Sequence, residues 1–392
     1  MPDLLTFLTD LSWPVAICLA WLAGEFGQRI TGLPRISFYG VVGFILAASQ
    51  VGVLAPSGPG PILLLADVGF GLILFELGYR INLRWLRTNP WLAAASVAEA
   101  GGTFVAIYFV ALLFGTSTMT ALMLAALSMS TSPATVIRVI NEKRSSGQVT
   151  ERVLHLSALN CVMSVFIFNV IVGFWIFRGS NDIGDAALNS LVAVLLSAVL
   201  GAAFGVVVPA VLRQMSNLSN DATVGFALAI ILLVSFTYAT QLSSVVAALT
   251  FGLTARHRRI AFSQAQRNFG ALGEVLTVLL FVFAASTLDW RTVTGGIGLA
   301  LTVFVVRLLT KTIGVTAFAE LSGISWRKGA LTGIALAPVS VFVILLLEHA
   351  RLRGVNLAEE LRAMAGVTLL LEVFGPILIQ RALVWARETP EA

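Results

Sequence analysis

Charged side chains are scarce in this chain: Asp, Glu, Lys and Arg make up 11% of its 392 residues, and 58% of the residues are hydrophobic. A water-soluble globular domain carries roughly 25% charged residues, so the composition excludes that class and predicts an integral membrane protein. A membrane-spanning helix needs about 20 apolar residues, so this length has room for a dozen or so spans.

Other features are missing too, and each absence excludes a class of protein. Only Cys18 and Cys161 are present, both in apolar runs, which argues against a disulfide framework. The N-terminal MPDLLTFLTD has no basic residue, so no cleavable signal peptide is expected. No glycine-rich phosphate loop, nucleophile–base pair or metal-ligand cluster stands out, and the net charge of +5 comes from loop arginines. We therefore expect no enzyme, no cofactor, no metal centre and no nucleic-acid partner.

What remains is a series of apolar segments, which predicts an all-α integral membrane protein with a single transmembrane domain over residues 1–392. About thirteen segments are centred near residues 17, 45, 71, 101, 129, 165, 199, 231, 249, 279, 305, 339 and 372. With the N-terminus outside, 18 of the 25 Lys and Arg residues fall on the inner side and 5 on the outer side. The positive-inside rule thus predicts about 13 transmembrane helices in the cell inner (plasma) membrane, with the C-terminus in the cytoplasm.

Segments five and twelve are each interrupted near the middle. Segment five reads ALSMSTSPATVIRVI, with Thr131, Ser132 and Pro133 at the break, and segment twelve reads GALTGIALAPVSVFVILL, with Pro338 and Ser340 there. Proline disfavours helix at the preceding residue, and free backbone groups at membrane depth are tolerated only inside protein or along a watery cavity. One interpretation is two ordinary proline kinks. The other is a transporter whose site lies where two broken helices meet.

Five segments carry motifs of a known family. Segment two reads RITGLPRISFYGVVGFILA and segment three DVGFGLILFELGYRINL, while TSPATV and SALNCV lie in segments five and six. The last two resemble the Thr-Asp-Pro and Ser-Leu-Leu-Asn-Asp motifs of the sodium/proton exchanger branch of the cation:proton antiporter superfamily. VVRLLTKTIGV in segment eleven resembles the Ala-Arg-x-Leu-Gly-Val helix of that branch. The resemblance extends over nearly the whole length.

The resemblance implies two inverted six-helix repeats, with broken helices 5 and 12 crossing at the midplane. It implies scaffold helices for homodimerisation at about 4–87 and 221–290, core helices at about 90–180 and 293–387, and a linker helix at about 186–213. It also implies a secondary transporter that exchanges a monovalent cation, Na⁺ or K⁺, for protons by an elevator-like shift of core against scaffold.

The ion site of the family carries over only in part. Four positions match the motifs: Thr131, Pro133, Ser157 and Asn160. Ser132 and Cys161 stand where the family has its two aspartates, and Leu156 stands where exchangers usually place a glutamate. A carboxylate gives a hard cation both an oxygen ligand and a compensating charge, whereas a thiol is a soft ligand. We therefore do not expect Cys161 to exchange a cation for a proton.

Ionisable side chains inside the predicted core are the remaining candidates for that chemistry. Arg307 and Lys311 lie four residues apart on segment eleven, hence on one helical face, and intramembrane charges are functional candidates with a partner. One interpretation is that Glu99 on segment four and Glu372 on segment thirteen neutralise these two cations in buried pairs. The alternative is that Glu372 or Glu99 has become the proton carrier.

Two functions from different classes stay open. The first is a monovalent cation:proton antiporter, whose partners are cations, protons, the lipid bilayer and a second copy of the chain. The second is a transport-inactive or channel-like homologue that acts as a scaffold, regulator or partner subunit for an unknown protein. The paired breaks favour the first, and the missing acids at positions 132 and 161 favour the second.

Overall fold

The chain folds into packed α-helices. The computed structural model describes residues 4–54, 61–176, 183–214, 218–257, 263–291, 296–339, 343–347 and 358–390, and every regular element in these ranges is helical. The helices, numbered in chain order, are α1 Leu4–Thr31, α2 Arg35–Leu46, α3 Pro61–Arg80, α4 Leu83–Thr88, α5 Pro90–Leu113, α6 Thr118–Met129, α7 Pro133–Lys143, α8 Gln148–Ile176, α9 Ile183–Leu212, α10 Leu218–Thr240, α11 Ser244–His257, α12 Ser263–Ser286, α13 Ile297–Ala317, α14 Trp326–Ala335 and α15 Ala358–Trp385. Residues 343–347 are helical as well.

Local sequence explains where several helices begin and end. Ser117 caps α6 by accepting a hydrogen bond from the backbone N–H of Thr120 at 3.1 Å, and Ser325 caps α14 in the same way. Pro90 occupies the start of α5, where its missing N–H costs no helical bond. Gly32 follows α1 with a φ of +70°, a conformation that glycine adopts without strain.

Long apolar helices make this a multi-pass membrane protein. Among the described residues, seven are long and apolar enough to span a bilayer: Ile62–Arg80, Pro90–Leu113, Thr118–Lys143 (counted through its break), Gln148–Phe174, Ala187–Leu212, Thr223–Thr240 and Ile297–Ala317. Arg35–Leu46 and Leu272–Ser286 are shorter apolar helices. The predicted α-helical membrane class is thus confirmed, while the number thirteen still rests on the charge pattern. The short helix α4 was not predicted.

The helices pack in two groups. In the first, α3 packs on α11 and α12, α2 on α1 and α12, and α9 and α10 on α11. In the second, α5 packs on α6 and α13, and α13 packs on α14 and α15. Glycine brings α13 against α5, since a Cβ added at Gly314 would lie 2.6 Å from the Cα of Glu99. The division into scaffold, linker and core ranges, and their relative motion, remain predictions.

The two groups meet along α7 and α15. Helix α15 packs on α2, and α7 packs on α3. Side chains of α7 bond across this boundary: Glu142 accepts from Gln28, Asn141 accepts from Arg80 at 2.6 Å, and Arg138 donates to Thr277 at 3.1 Å. These contacts connect the end of α7 with α1, α3 and α12.

Candidate ion-binding site

The predicted break in segment five lies between α6 and α7. Helix α6 ends at Met129, residues 130–132 are extended, and Pro133 begins α7. The hydroxyl of Ser132 accepts hydrogen bonds from the N–H and the Oγ1–H of Thr135, at 3.3 and 2.9 Å. An aspartate also caps a helix through its side-chain oxygen. Serine at position 132 therefore keeps the cap of α7 and removes the charge.

The break in segment twelve is present too, and it touches the first. Helix α14 ends at Ala335, residues 337–339 have no regular structure, and Ser340 lies outside the described residues. The N–H of Ser132 donates to the carbonyl of Pro338 at 3.1 Å, and the hydroxyl of Thr131 donates to the carbonyl of Leu336 at 3.2 Å. Two direct hydrogen bonds thus hold the two interruptions together.

Arg307 on α13 binds the backbone of both breaks. It donates to four carbonyls, those of Ser128 at 2.9 Å, Pro338 at 3.2 Å, Ser130 and Ala337. The last carbonyls of a helix have no partner within the helix and carry partial negative charge. The fully buried guanidinium therefore satisfies a carbonyl at the end of α6 and three carbonyls in the two breaks.

Lys311, one turn further along α13, forms a buried ion pair with Glu99 of α5. Its Nζ lies 2.7 Å from Oε2 of Glu99, and both side chains are 0% exposed. The ammonium also donates to the carbonyl of Met129, at the end of α6, at 3.0 Å. Asn160 of α8 donates to the other oxygen of Glu99 and, at 3.2 Å, to the hydroxyl of Thr131. The pair therefore touches the first break, and Glu99 contacts one of the two cations.

Ser96 belongs to the same cluster, although the sequence interpretation did not include it. Its hydroxyl donates to the Oδ1 of Asn160 at 3.1 Å, and its side chain is buried. Ser96, Glu99 and Thr103 recur at spacings of three and four along an otherwise apolar helix, so they share one face. This polar stripe is the sequence pattern from which Ser96 could have been predicted as part of the site.

Cys161 and Ser157 of α8 are buried near the crossing but bond to backbone carbonyls. The thiol of Cys161 donates to the carbonyl of Thr131 at 3.3 Å. The hydroxyl of Ser157 donates to the carbonyl of Leu154 in its own helix at 2.9 Å. Cys161 thus connects α8 to the break without adding charge, and Ser157 makes no side-chain bond to the Glu99 cluster.

Glu372 on α15 does not pair with Arg307 or Lys311, so that part of the expectation is wrong. Neither of its carboxylate oxygens has a hydrogen-bond partner among the described residues, although the residue is only 5% exposed. The physical reason is that the Glu372 side chain extends toward α2. A Cβ added at Gly40 of α2 would lie 3.0 Å from the Glu372 carboxyl carbon, so the acid lies against the other group of helices.

A buried ion pair beside two interrupted helices that meet inside a membrane bundle is typical of secondary transporters. The chain belongs to the sodium/hydrogen exchanger family: the pattern described as "Sodium/hydrogen exchanger, transmembrane" matches residues 15–385. Its family and fold are those of transporters and not of enzymes, and the predicted cation:proton antiporter superfamily is confirmed.

Relatives agree with this assignment at low identity. The sodium proton antiporter MjNhaP1 from Methanocaldococcus jannaschii, in its structure at pH 8, has a TM-score of 0.73 at 13% identity over 97% of both chains. An electron-microscopy structure of the same antiporter has a TM-score of 0.71 at 16% identity, covering 98% of this chain and 97% of that one. The iron transporter MagA of Paramagnetospirillum magneticum is 26% identical in an alignment of 362 residues that covers 88% of this chain and 80% of MagA. The structural matches show a common fold.

Proposed function

We propose that this protein exchanges a monovalent cation, Na⁺ or K⁺, for protons, with the Glu99–Lys311 pair as its exchange centre. The observation that carries the proposal is the 2.7 Å contact between these two fully buried side chains, beside the meeting point of both helix breaks. Ser132 and Cys161 replace the usual aspartates, and Glu99 supplies a carboxylate from a different helix.

A cation and a proton compete for this pair in the proposed mechanism. Glu99 is held by the Lys311 ammonium, and a second cation beside that ammonium is opposed by strong Coulomb repulsion in a low-dielectric interior. When the Lys311 ammonium loses a proton, it becomes a neutral amine. The Glu99 carboxylate then has no charged partner and can bind a metal cation. One cation enters as one proton leaves, so the charge of the pair is unchanged.

The atoms around Glu99 suit a hard monovalent cation. Besides the carboxylate, the Oδ1 of Asn160, the hydroxyl of Thr131 and the carbonyl of Met129 stand in the same hydrogen-bonded cluster. Each of these atoms is an oxygen that can act as a cation ligand, and alkali cations prefer oxygen ligands. Arg307 keeps its bonds to the breaks throughout, so we assign it a positioning role.

We further propose an elevator-like movement for alternating access. The side chains bonded to Glu99 belong to α8 and α13, and the nearest break belongs to α6 and α7, all within or beside the predicted core. The exchange centre can therefore move as a unit against α2, α3 and α12. Inverted six-helix repeats, with the breaks of segments five and twelve in equivalent places, are part of the same proposal.

Placement and assembly follow from the surface and from the charges. We propose a plasma-membrane protein with its N-terminus outside, as the distribution of Lys and Arg favours. We also propose a homodimer formed through the scaffold. Large apolar side chains on α10, such as Leu228 and Leu232 at 60% exposure each, suit contact with lipid or with a second copy.

The second candidate function is a transport-inactive or channel-like homologue that acts as a scaffold, regulator or partner subunit. It is favoured by the bonding of the two replaced positions. Ser132 caps a helix and Cys161 binds a backbone carbonyl, so both have structural roles and neither carries charge.

Purified full-length protein in liposomes containing a pH-sensitive dye tests these functions. Gradients of Na⁺, K⁺ and, in a third arm suggested by the name of MagA, ferrous iron would be imposed in turn. We expect proton movement with a monovalent cation, its loss in Glu99→Gln, and its retention in Lys328→Met, which removes a partly exposed lysine. No exchange in any arm contradicts antiport. Exchange that appears only after Ser132→Asp and Cys161→Asp are combined indicates an inactivated site.

A further inference from the structure

We propose that Glu372 and Thr368 form a proton-binding site at the boundary between core and scaffold, separate from the exchange centre, and that this site must hold a proton for the core to move. The inference rests on the proposed transport function, because it concerns the movement that such transport requires. It assigns to Glu372 a regulatory proton and not the proton that is exchanged for the cation.

The first observation is a pair of buried polar groups without partners. Both oxygens of Glu372 and the Oγ1 of Thr368 lack hydrogen bonds among the described residues, and the two residues are 5% and 3% exposed. They are four residues apart on α15 and therefore lie one above the other on the same face. An ionised carboxylate without a donor or a cation is strongly disfavoured in such surroundings. A protonated, neutral carboxyl fits these surroundings, and the Thr368 hydroxyl is a polar group on the same helix face.

The second observation is where the acid lies. A Cβ added at Gly40 would lie 3.0 Å from both the carboxyl carbon and Oε1 of Glu372, so the glycine on α2 gives this side chain room that a larger residue would reduce. The neighbouring Ser37 of α2 donates to the carbonyl of Val373 at 3.0 Å. Glu372 therefore faces a helix of the predicted scaffold while it belongs to the predicted core.

The same face of α15 also contacts the second break. A Cβ added at Gly375, three residues after Glu372, would lie 2.8 Å from the Cβ of Pro338. Helix α15 thus links the break region to the boundary with α2. A shift of the core changes the neighbours of Glu372 on α2, whereas the neighbours of Glu99 shift together with it.

Charged and titratable groups on the helices around α15 have other partners. On α2, Arg35 pairs with Glu25 at 2.9 Å, and the ring of Tyr39 lies against Gly24 of α1. Helix α6 has no titratable side chain. The others are Arg138, bonded to Thr277; Glu142, bonded to Gln28; Lys143, at the end of α7; Arg307, bonded to backbone carbonyls; Lys311, bonded to Glu99; Arg327, bonded to the Trp385 carbonyl; and Lys328, bonded to Gln148.

The proton balance at this site is simple. At alkaline pH the carboxyl O–H bond breaks and the proton passes to water, leaving a carboxylate that has no bound cation and no hydrogen bond among the described residues. Movement of that charge along α2 requires water or a cation to enter the boundary, which slows the core. Protonation restores a neutral, compact contact, so the site acts as a brake that alkaline pH applies.

Equilibrium isotope exchange separates this proton from the exchanged one. Liposomes with the same pH and the same saturating cation on both sides would be followed by uptake of radioactive sodium or rubidium. This uptake requires core movement but no net proton transfer, and alkaline pH favours the cation-loaded centre. We expect the wild-type rate to fall by about tenfold per pH unit on the alkaline side, as for a single titrating group. In Glu372→Gln and Glu372→Met, which are always neutral, we expect a change of less than about twofold over the same range.

Glu320→Gln, which removes an exposed acid in the turn after α13, is the control and should keep the wild-type profile. Glu372→Asp, which keeps a titrating group, should keep an alkaline decline. An unchanged profile in the two neutral variants overturns the proposal. Complete inactivity of both neutral variants while they remain folded also overturns the proposal, because the carboxyl would then be needed in every transport cycle.

A measurement that does not depend on transport distinguishes this inference from the proposed function. In infrared spectra of the protein in lipid, we expect a protonated-carboxyl band that is present in wild type and Glu99→Gln but absent in Glu372→Gln. If wild type exchanges no isotope at any pH, the proposed function fails, and this band still tests the proton site. Absence of the band in wild type overturns it.

Discussion

Glu99 and Glu372 are both buried glutamates in the same group of helices, yet their surroundings differ. Glu99 contacts an ammonium and an amide, both on neighbouring helices that pack with its own. Glu372 has no partner among the described residues and lies against a glycine of α2. The difference teaches that burial alone does not define the role of an acid in this fold. We propose that the acid surrounded by core groups holds the exchanged cation, and that the acid at the boundary binds the proton that permits movement.

The largest expected effect comes from Glu99→Gln. Exchange should fall by at least about 100-fold, because the centre loses its charge, and the free energy of unfolding should fall by about 3–5 kcal/mol, because Lys311 stays buried without a counter-charge. Liposome exchange and denaturation in detergent measure the two quantities. Adding Lys311→Met should restore much of the stability and none of the exchange. Wild-type exchange in Glu99→Gln would contradict the assignment.

Arg307→Met tests whether the bonds from Arg307 to the helix breaks keep Glu99 and its partners in place. Three carbonyls lose their described side-chain donor, while that of Pro338 keeps the N–H of Ser132, so we expect the free energy of unfolding to fall by about 3 kcal/mol and exchange to be lost as well. Arg307→Lys keeps the charge but cannot reach both helix ends with one ammonium group, so its loss of stability should be intermediate. Equal stability of Arg307→Met and wild type would show that the carbonyls are satisfied in another way.

Glu372→Gln sharpens the comparison between the two acids. Its free energy of unfolding should change by less than about 1 kcal/mol, since no ion pair is broken and the neutral amide resembles the neutral carboxyl in shape. Thermal unfolding beside Glu99→Gln, in the same detergent and at the same pH, measures the contrast. Equal destabilisation of the two variants would mean that Glu372 also has a charged partner.

The smallest effect should come from Gly40→Ala, which presses a methyl group on the carboxyl of Glu372. We expect isotope exchange to fall by about two- to fivefold and stability to fall by about 1 kcal/mol, as for modest overpacking. Gly101→Ala on α5 is the matched control, because a Cβ there meets nothing within 4 Å. The control should keep its exchange rate and gain up to about 1 kcal/mol of helix stability. A similar loss of exchange in both variants would remove the link to Glu372.

The breaks could be predicted from the sequence, because Pro133 and Pro338 each interrupt an apolar segment and proline disrupts a helix locally. The partners of Arg307 could not. Every residue has a carbonyl, and only the crossing of two chain segments determines which carbonyls lose their helical partners. Pairing by nearest opposite charge was therefore the natural expectation, and it was correct for Lys311 and wrong for Arg307.

Glu372 was misassigned for a related reason. Helix α15 is apolar on most faces, so its sequence holds little polar periodicity that would orient the acid toward the core or toward α2. The informative residue is Gly40, which lies more than 300 positions away in the chain. Ser96, by contrast, could have been found, because it shares a helical face with Glu99 and Thr103.

Proton release on cation binding tests the central claim most directly. Purified protein in weakly buffered detergent would receive NaCl or KCl while a dye records pH and a parallel assay records bound cation. We predict about one proton released for each cation bound by wild type and by Lys328→Met, because metal binding to a protonated site displaces its proton. Glu99→Gln should release none. Cation binding without proton release, or equal release in Glu99→Gln, would contradict the Glu99–Lys311 pair as the exchange centre.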